Sequence, residues 1–399
     1  MNKIDKTTFD IAIIGGGPAG SSAAFYLSKL GFDVCIFEKK EFPRETICGE
    51  FLSLEVIAFL KETELFNSFL QLKPNLINKV KVYDQNSVLG TNLYFTAYGI
   101  KRGKFDMFLL RRAADYCTKV FQPAEVKSIE INSADNYSVL FEYNKKLLKI
   151  TAKEVIAAYG KRNVLDKHLN RKFVSSKSRL NGVKFHISKE RLSSYNQNTI
   201  SIFIADDIYC GINCVDDEMA TICFLKNDLL RTISAREHVL YLCKQNKFFG
   251  ELLQKVSEEE LNKIKLYGAG DIHFGKKEIV QNGIFMIGDA ARVIAPLIGD
   301  GIGCAVQNAK LLSEIINEKV KKNLKRNSTE EIYKHEWHKL FNKRFQTANL
   351  IQHILFNKKC RKAAIKLINK VPSFLTQIVK MTRAQVLTET FSESQRAKN

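Results

Sequence analysis

The chain opens on two short apolar runs separated by one amphipathic stretch. Residues 9–14 form a β-branched run that reads as a strand buried on both faces, and 34–37 form a second. Between them 18–30 reads as a helix, with Pro18 in its first turn and Gly31 at its stop. Residues 100–116 read as another helix, 126–131, 138–143 and 147–150 as a small antiparallel group, and 154–158 as a returning buried strand. From 182 the pattern turns β-rich, with strands at 182–187, 199–205, 208–214 and 219–225 that suit one wall of a pocket. Helical spacing returns at 234–247 and 257–263, 284–287 is a short buried strand, and a helix follows from about 303 to 319. The remainder to about 387 is largely helical, the last dozen residues read as frayed, and no segment repeats.

The junction between the first strand and helix carries chemistry. Gly15, Gly17 and Gly20 follow the strand in the G-x-G-x-x-G order, and Glu38 closes the next strand. That is the dinucleotide-binding fingerprint in its structural context. Gly15 permits the tight turn, Gly17 lets a pyrophosphate approach the backbone, and Gly20 lets the helix pack on the strand. Pro18 and Ala19 begin the helix, whose unpaired N–H groups and positive end favour phosphate. Glu38 is placed to accept hydrogen bonds from a ribose.

A second glycine-rich junction lies far along the chain. Gly288 and Asp289 end a strand, Pro296 starts a turn, and Gly299, Gly301, Ile302 and Gly303 lead into a helix. Asp289 suits a sugar-alcohol hydroxyl. The glycines let the backbone lie against a flat ring, toward which the helix would aim its positive end. It is not a second fingerprint, because no strand ending in an acidic residue follows.

Bulk composition narrows the class. The 399 residues are 45% hydrophobic and 26% charged, ordinary for a globular chain with ample length for a core. No apolar run approaches the ~18 residues of a membrane span. The N-terminus lacks an apolar leader core, so a cytoplasmic location is expected. Nine cysteines, none in a C-x-x-C pair, support neither a disulfide framework nor a metal site. The net charge of +20 thickens at 319–326 and 358–380. No nucleic-acid motif accompanies it, so no nucleic-acid partner is expected. The basic C-terminal helices suit peripheral contact with an anionic membrane at its inner face. His335 and His338 have metal-compatible spacing but read as solvent-facing. Oligomeric state is not legible.

Four segments give the chain a resemblance to FAD-dependent oxidoreductases of the para-hydroxybenzoate-hydroxylase and geranylgeranyl-reductase-like superfamily. They are Gly15–Gly20 with Glu38, the run FPRETICGE from Phe42 to Glu50, Arg102-Gly-Lys-Phe-Asp106, and Gly288–Gly303. The resemblance implies an α/β fold: a Rossmann-type FAD-binding domain with an inserted antiparallel β-sheet substrate domain and a helical C-terminal region. The FAD-binding domain would take residues 1–80, 101–180 and 281–320, the substrate domain 81–100 and 181–280, and the basic helical region 321–399. FAD would lie extended, its adenosine at Glu38, its ribityl chain at Asp289 and its ring at Gly299–Gly303. Arg44, Gly49 and Arg102 match family positions near the cofactor, and Cys48 is a candidate catalytic residue on the substrate side. Relatives often carry an Asp-Gly pair where Tyr159-Gly160 stands, which weakens the usual docking of NAD(P)H. Gly160 is read as a turn residue.

The resemblance implies a hydrophobic small-molecule substrate. The favoured reaction is NAD(P)H-dependent monooxygenation of an apolar or phenolic substrate through a flavin hydroperoxide. The alternative is reduction of isoprenoid double bonds, for which Cys48-Gly49-Glu50 speaks. The strand 209–215 lacks the tryptophan-proline pattern of prenyl reductases. Flavin halogenases share the fold but carry a tryptophan-rich motif, and the single Trp337 in the tail sets that reading aside.

Overall fold

The computed structural model describes residues 6–133, 136–176, 178, 180–227, 234–270 and 272–383. The expected strands, with short ones such as Lys119–Phe121 that the sequence pattern did not mark, form two eight-stranded sheets. In the first, Thr8–Ile14 lies between Val34–Phe37 and Lys146–Ala157, parallel to both, with Lys119–Phe121 and Ile284–Met286 extending the parallel core on either side. All four residues of Val34–Phe37 are buried, as a strand covered on both faces requires. The helices Pro18–Lys29, Arg102–Ala114 and Gly301–Lys321 cover it. The expected strands at 147–150 and 154–158 are one strand, Lys146–Ala157. Its first half pairs antiparallel with Asn136–Tyr143 and its second half parallel with Thr8–Ile14, so two neighbours of opposite direction share one unbroken run.

The second sheet is antiparallel except where Thr199–Ile204 runs parallel to Asn75–Tyr83. Its central strands, Leu180–Ser188, Met219–Asn227, Ile208–Cys214 and Thr199–Ile204, are those read from the sequence. The sheet takes in more of the N-terminal third than 81–100, because Asn75–Tyr83 pairs along its length with Val88–Gly99. One face packs on the helices Ala235–Gln245 and Lys247–Leu252 around Phe185, Phe203 and Phe249. The other face looks toward the cofactor sheet and the three C-terminal helices Arg326–Phe356, Lys358–Lys370 and Ser373–Met381.

The C-terminal region is anchored rather than appended. Tyr333, Trp337, Phe341 and Phe345 bury one face of Arg326–Phe356 against the first sheet's core. Trp337 Nε1 donates to Asn308 Oδ1. Arg361, 1% exposed, pairs with Asp84 and Asp206 and so ties the next helix to the second sheet. His335 and His338 face solvent, beside Glu336 and Asn342. The segment expected to fray falls outside the described residues.

Candidate active site

The helix Gly301–Lys321 begins two residues earlier than the sequence pattern suggests, so Gly301, Ile302 and Gly303 form its first turn. Between it and the N-terminal turn a single cavity of about 1360 Å³ runs through the molecule. That exceeds the ~300–1,000 Å³ of an ordinary ligand pocket. Gly15, Gly17, Pro18, Ala19 and Glu38 line one end, and Gly288, Asp289, Pro296, Gly299, Gly301 and Ile302 line the middle, facing Arg44, Cys48, Gly49 and Arg102. Two expected contacts, Gly20 and Gly303, are not on the wall. A Cβ on Gly20 would overlap the Gly15 carbonyl oxygen, so Gly20 acts by letting helix and strand close. A Cβ on Gly303 would strike Asp300 Oδ1, so Gly303 makes room for a buried carboxylate rather than for a ring.

The N-terminal end fits a dinucleotide. Gly15 has φ +111°, a conformation that only glycine takes readily, and a Cβ there would overlap Ala158 backbone. Gly17 is the residue before the helix, and a Cβ on it would approach Arg44. Glu38 is 5% exposed and accepts from the N–H groups of Gly16 and Lys40, both at 2.9 Å. Its carboxylate therefore braces the glycine turn as well as facing the cavity.

Asp289 and its neighbours are held by residues that the motifs did not reveal. Buried Arg171 donates to the carbonyls of Glu278 (2.6 Å) and Ala290 (2.9 Å) and pairs with Asp166 at 2.9 Å. Tyr159 donates to Asp166 Oδ1 at 2.7 Å. The tyrosine standing in place of the family aspartate thus completes a buried Tyr–Asp–Arg cluster, and Gly160 at φ +88° makes the turn after it. Lys277 donates to the carbonyls of Lys161 (2.7 Å) and Asp289 (2.9 Å), and burial pulls its amine down to about 8.

The Gly299–Gly303 turn is locked from the other side. Buried Asp300 accepts from Ser53 Oγ and from Arg344 of the C-terminal helix, each at 2.9 Å. Burial and the neighbouring Glu55 carboxyl push Asp300 up to about 7, against the pull of Arg344 and Arg383. Only packing brings these residues together, so no local pattern announces them.

Opposite, the Cys48-Gly49-Glu50 segment is fixed by charge. Glu50 has φ +57°, an uncommon conformation for a side-chain-bearing residue. Its carboxylate accepts from the Arg102 N–H (2.8 Å), Lys184 Nζ (2.7 Å) and His186 Nε2 (2.6 Å). Burial alone would raise Glu50, but the His186 hydrogen bond and the Lys184 ammonium bring it down to about 2. Glu45, Glu50 and His186 have metal-ligand spacing. Lys184 sits between the two carboxylates, 2.6 and 2.7 Å away, and already supplies the compensating cation. Cys48 Sγ accepts from the Glu50 N–H at 3.3 Å and lies beside the Arg102 guanidinium, which is clamped by Asp106.

Beyond this polar middle the cavity turns apolar, between Val80, Ile202 and Leu225 of the second sheet and Ile354, Ile365 and Leu375 of the C-terminal helices. A glycine turn at a helix start, two carboxylates and a second glycine cluster thus line one cleft that opens into an apolar chamber, an arrangement that fits a flavin dinucleotide. The chain belongs to the FAD-binding domain family, whose model matches residues 8–239. It is 28% identical, over 79% of its length and 77% of the relative's, to the 1H-pyrrole-2-carbonyl-[peptidyl-carrier protein] chlorinase of Pseudomonas fluorescens. It is 25% identical to the digeranylgeranylglycerophospholipid reductase of Thermoplasma acidophilum, over 96% and 93%. The fold matches the myxobacterial chondrochloren halogenase with a TM-score of 0.75 at 18% identity, covering 94% of this chain and 91% of that one. Halogenases, set aside in the sequence for want of tryptophans, are thus prominent among the relatives. No helix of the described residues is long and apolar enough to cross a membrane.

Proposed function

We propose that the protein is an NAD(P)H-dependent FAD monooxygenase that hydroxylates an apolar or phenolic substrate bearing an aliphatic chain. The observation that carries the substrate class is the apolar chamber, continuous with the cofactor cleft and walled by Val80, Ile202, Leu225, Ile354 and Ile365. Such a wall rewards burial of a hydrocarbon chain at ~25 cal/mol per Å² and offers a charged substrate little.

In this reading Gly15–Ala19 hold the pyrophosphate at the helix start and Glu38 takes the ribose. Asp289 takes the ribityl chain, and Gly299–Ile302 lie against the ring with the helix's positive end toward it. The cofactor supplies hydride acceptance and dioxygen activation. The chain's own residues orient the two partners and exclude water, with Arg44 and Arg102 offering donors at the polar middle. The relatives include a chlorinase at 28% identity over 79% of the chain and a reductase at 25% over 96%, so an oxidative and a reductive use each have a relative behind them.

Reduction of isoprenoid double bonds is the second reading, supported by the Cys48 thiol on the cavity wall beside Arg102, where it can deliver a proton. Oxygen uptake measured alongside NAD(P)H oxidation, with long-chain phenols and with polyprenyl lipids, separates the two. Substrate-dependent oxygen consumption supports hydroxylation. Anaerobic saturation of a polyprenyl chain removes it, and turnover that depends on added halide replaces it with halogenation.

A further inference from the structure

The two last helices carry different chemistry on their two faces. Inward, Ile365, Ile368, Leu375, Ile378 and Val379 line the apolar chamber. Outward, Lys359, Lys362, Lys366 and Lys370 recur at three- and four-residue intervals along one exposed face. Beside the row Leu367, and just past it Val371, Phe374 and Met381, stand 49%, 41%, 42% and 58% exposed. Large side chains left in water beside a row of cations are what an interfacial helix presents. No carboxylate answers the row: the sequence has no Asp or Glu between Glu336 and Glu389, and among the described residues these four lysines have no ion-pair partner. Nearby cations that serve the fold do have partners, Lys358 with Asp206 and Arg361 with Asp84.

We propose that the outer face of Lys358–Lys370 and Ser373–Met381 docks on an anionic lipid bilayer, so that the chamber beneath it receives its chain-bearing substrate from the membrane. Two features choose a bilayer over an acidic protein. The exposed apolar residues are spread along two helices rather than gathered in a pocket, so a fluid apolar phase satisfies them better than a shaped partner. The same helices also roof the chamber, so the surface that meets lipid and the cavity that would take a lipid chain are one helix thick apart. Lysine stems can lie along the interface with their ammonium groups at the phosphates.

The inference rests on the chamber taking a hydrophobic substrate, but it is tested without substrate. Full-length protein is sedimented with vesicles of phosphatidylcholine alone and of phosphatidylcholine with phosphatidylglycerol. The protein is expected to pellet with the anionic vesicles only, and to be released when salt rises from about 0.1 M to about 1 M, which shortens the screening length from ~10 to ~3 Å. The variant Lys362→Gln/Lys366→Gln/Lys370→Gln should lower vesicle partitioning at least about tenfold, and Leu367→Gln/Phe374→Gln should lower it independently. Melting temperature and bound flavin, read on the same samples, should match the parent. Parent protein that stays in solution with anionic vesicles overturns the proposal, as does a triple variant that pellets like the parent. Capture by an acidic carrier protein without vesicle binding overturns it in favour of a protein partner. Turnover of detergent-dispersed substrate by a protein that ignores vesicles removes the docking surface and leaves the proposed reaction standing.

Discussion

The backbone N–H of Arg102 donates to the carboxylate of Glu50 at 2.8 Å. This bond joins two segments that the sequence holds fifty-two positions apart. It sets the Cys48-Gly49-Glu50 turn against the first turn of the Arg102–Ala114 helix, with the Cys48 sulfur beside the guanidinium. Glu50 is fully buried, so its charge persists because the Arg102 N–H, Lys184 and His186 all donate to it.

Removing the cation should therefore cost more than removing an ordinary core side chain. Lys184→Met leaves Glu50 and Glu45 without their shared ammonium and is expected to destabilise the protein by about 3–5 kcal/mol in urea unfolding. A loss near zero would mean that the carboxylates are compensated by other means.

Acid should act on the same group. Glu50 is held near about 2 against an ordinary value of 4.5, so the native state binds fewer protons than the unfolded chain between those limits. Its contribution, on the order of 3 kcal/mol, is complete above pH 4.5 and is lost as pH falls through 2. Urea titrations across this window should show a slope that Glu50→Gln flattens.

Lys277 predicts the opposite limb. Its amine is lowered from 10.5 to about 8, so between those values the unfolded chain binds more protons and stability rises with pH. Lys277→Met should abolish that rise, and should cost about 1–3 kcal/mol by orphaning the Lys161 and Asp289 carbonyls. Denaturation midpoints measured from neutral to alkaline pH check both statements.

The tyrosine in place of the family aspartate gives a sharper contrast. Tyr159→Phe removes a donor to Asp166 and should cost about 1 kcal/mol. Tyr159→Asp would set a second carboxylate beside Asp166 in a buried site and should cost several times as much. Equal losses would show that the cluster does not depend on the Tyr159 hydroxyl.

Two glycine-turn variants separate cofactor contact from folding. Asp289→Ala should weaken FAD retention roughly tenfold or more while leaving the melting curve of the cofactor-free protein in place. Gly20→Ala, whose methyl would collide with the Gly15 carbonyl, should lower both flavin content and stability. The ratio of flavin to protein absorbance reads the first effect and calorimetry the second.

The strand–glycine–helix junction and the second glycine cluster were legible because each is local. Backbone conformation demands glycine at Gly15 (φ +111°) and Gly299 (φ +64°), whatever the rest of the chain does. The β-rich run from 182 was legible for the same reason, through its apolar segments. Other groups were silent. Lys184, Asp300 with Arg344, and Arg171 with the Glu278 and Ala290 carbonyls are polar residues whose partners lie on distant elements, and polarity alone assigns each of them to the surface. Gly303 shows the converse: a glycine beside two others reads as part of the ring site, whereas its missing Cβ serves a buried Asp300. The single strand Lys146–Ala157 reads as two in the sequence because Thr151, Lys153 and Glu154 interrupt its apolar pattern.

The reaction itself is tested most directly by isotope. Purified, FAD-loaded protein is supplied with NAD(P)H, a long-chain phenol and oxygen-18 gas, and the product is weighed by mass spectrometry. Hydroxylation predicts a product carrying one oxygen-18 hydroxyl group in place of a hydrogen, formed only with dioxygen present. A product that gains two hydrogens without dioxygen, or one that carries halogen and no label, would contradict it.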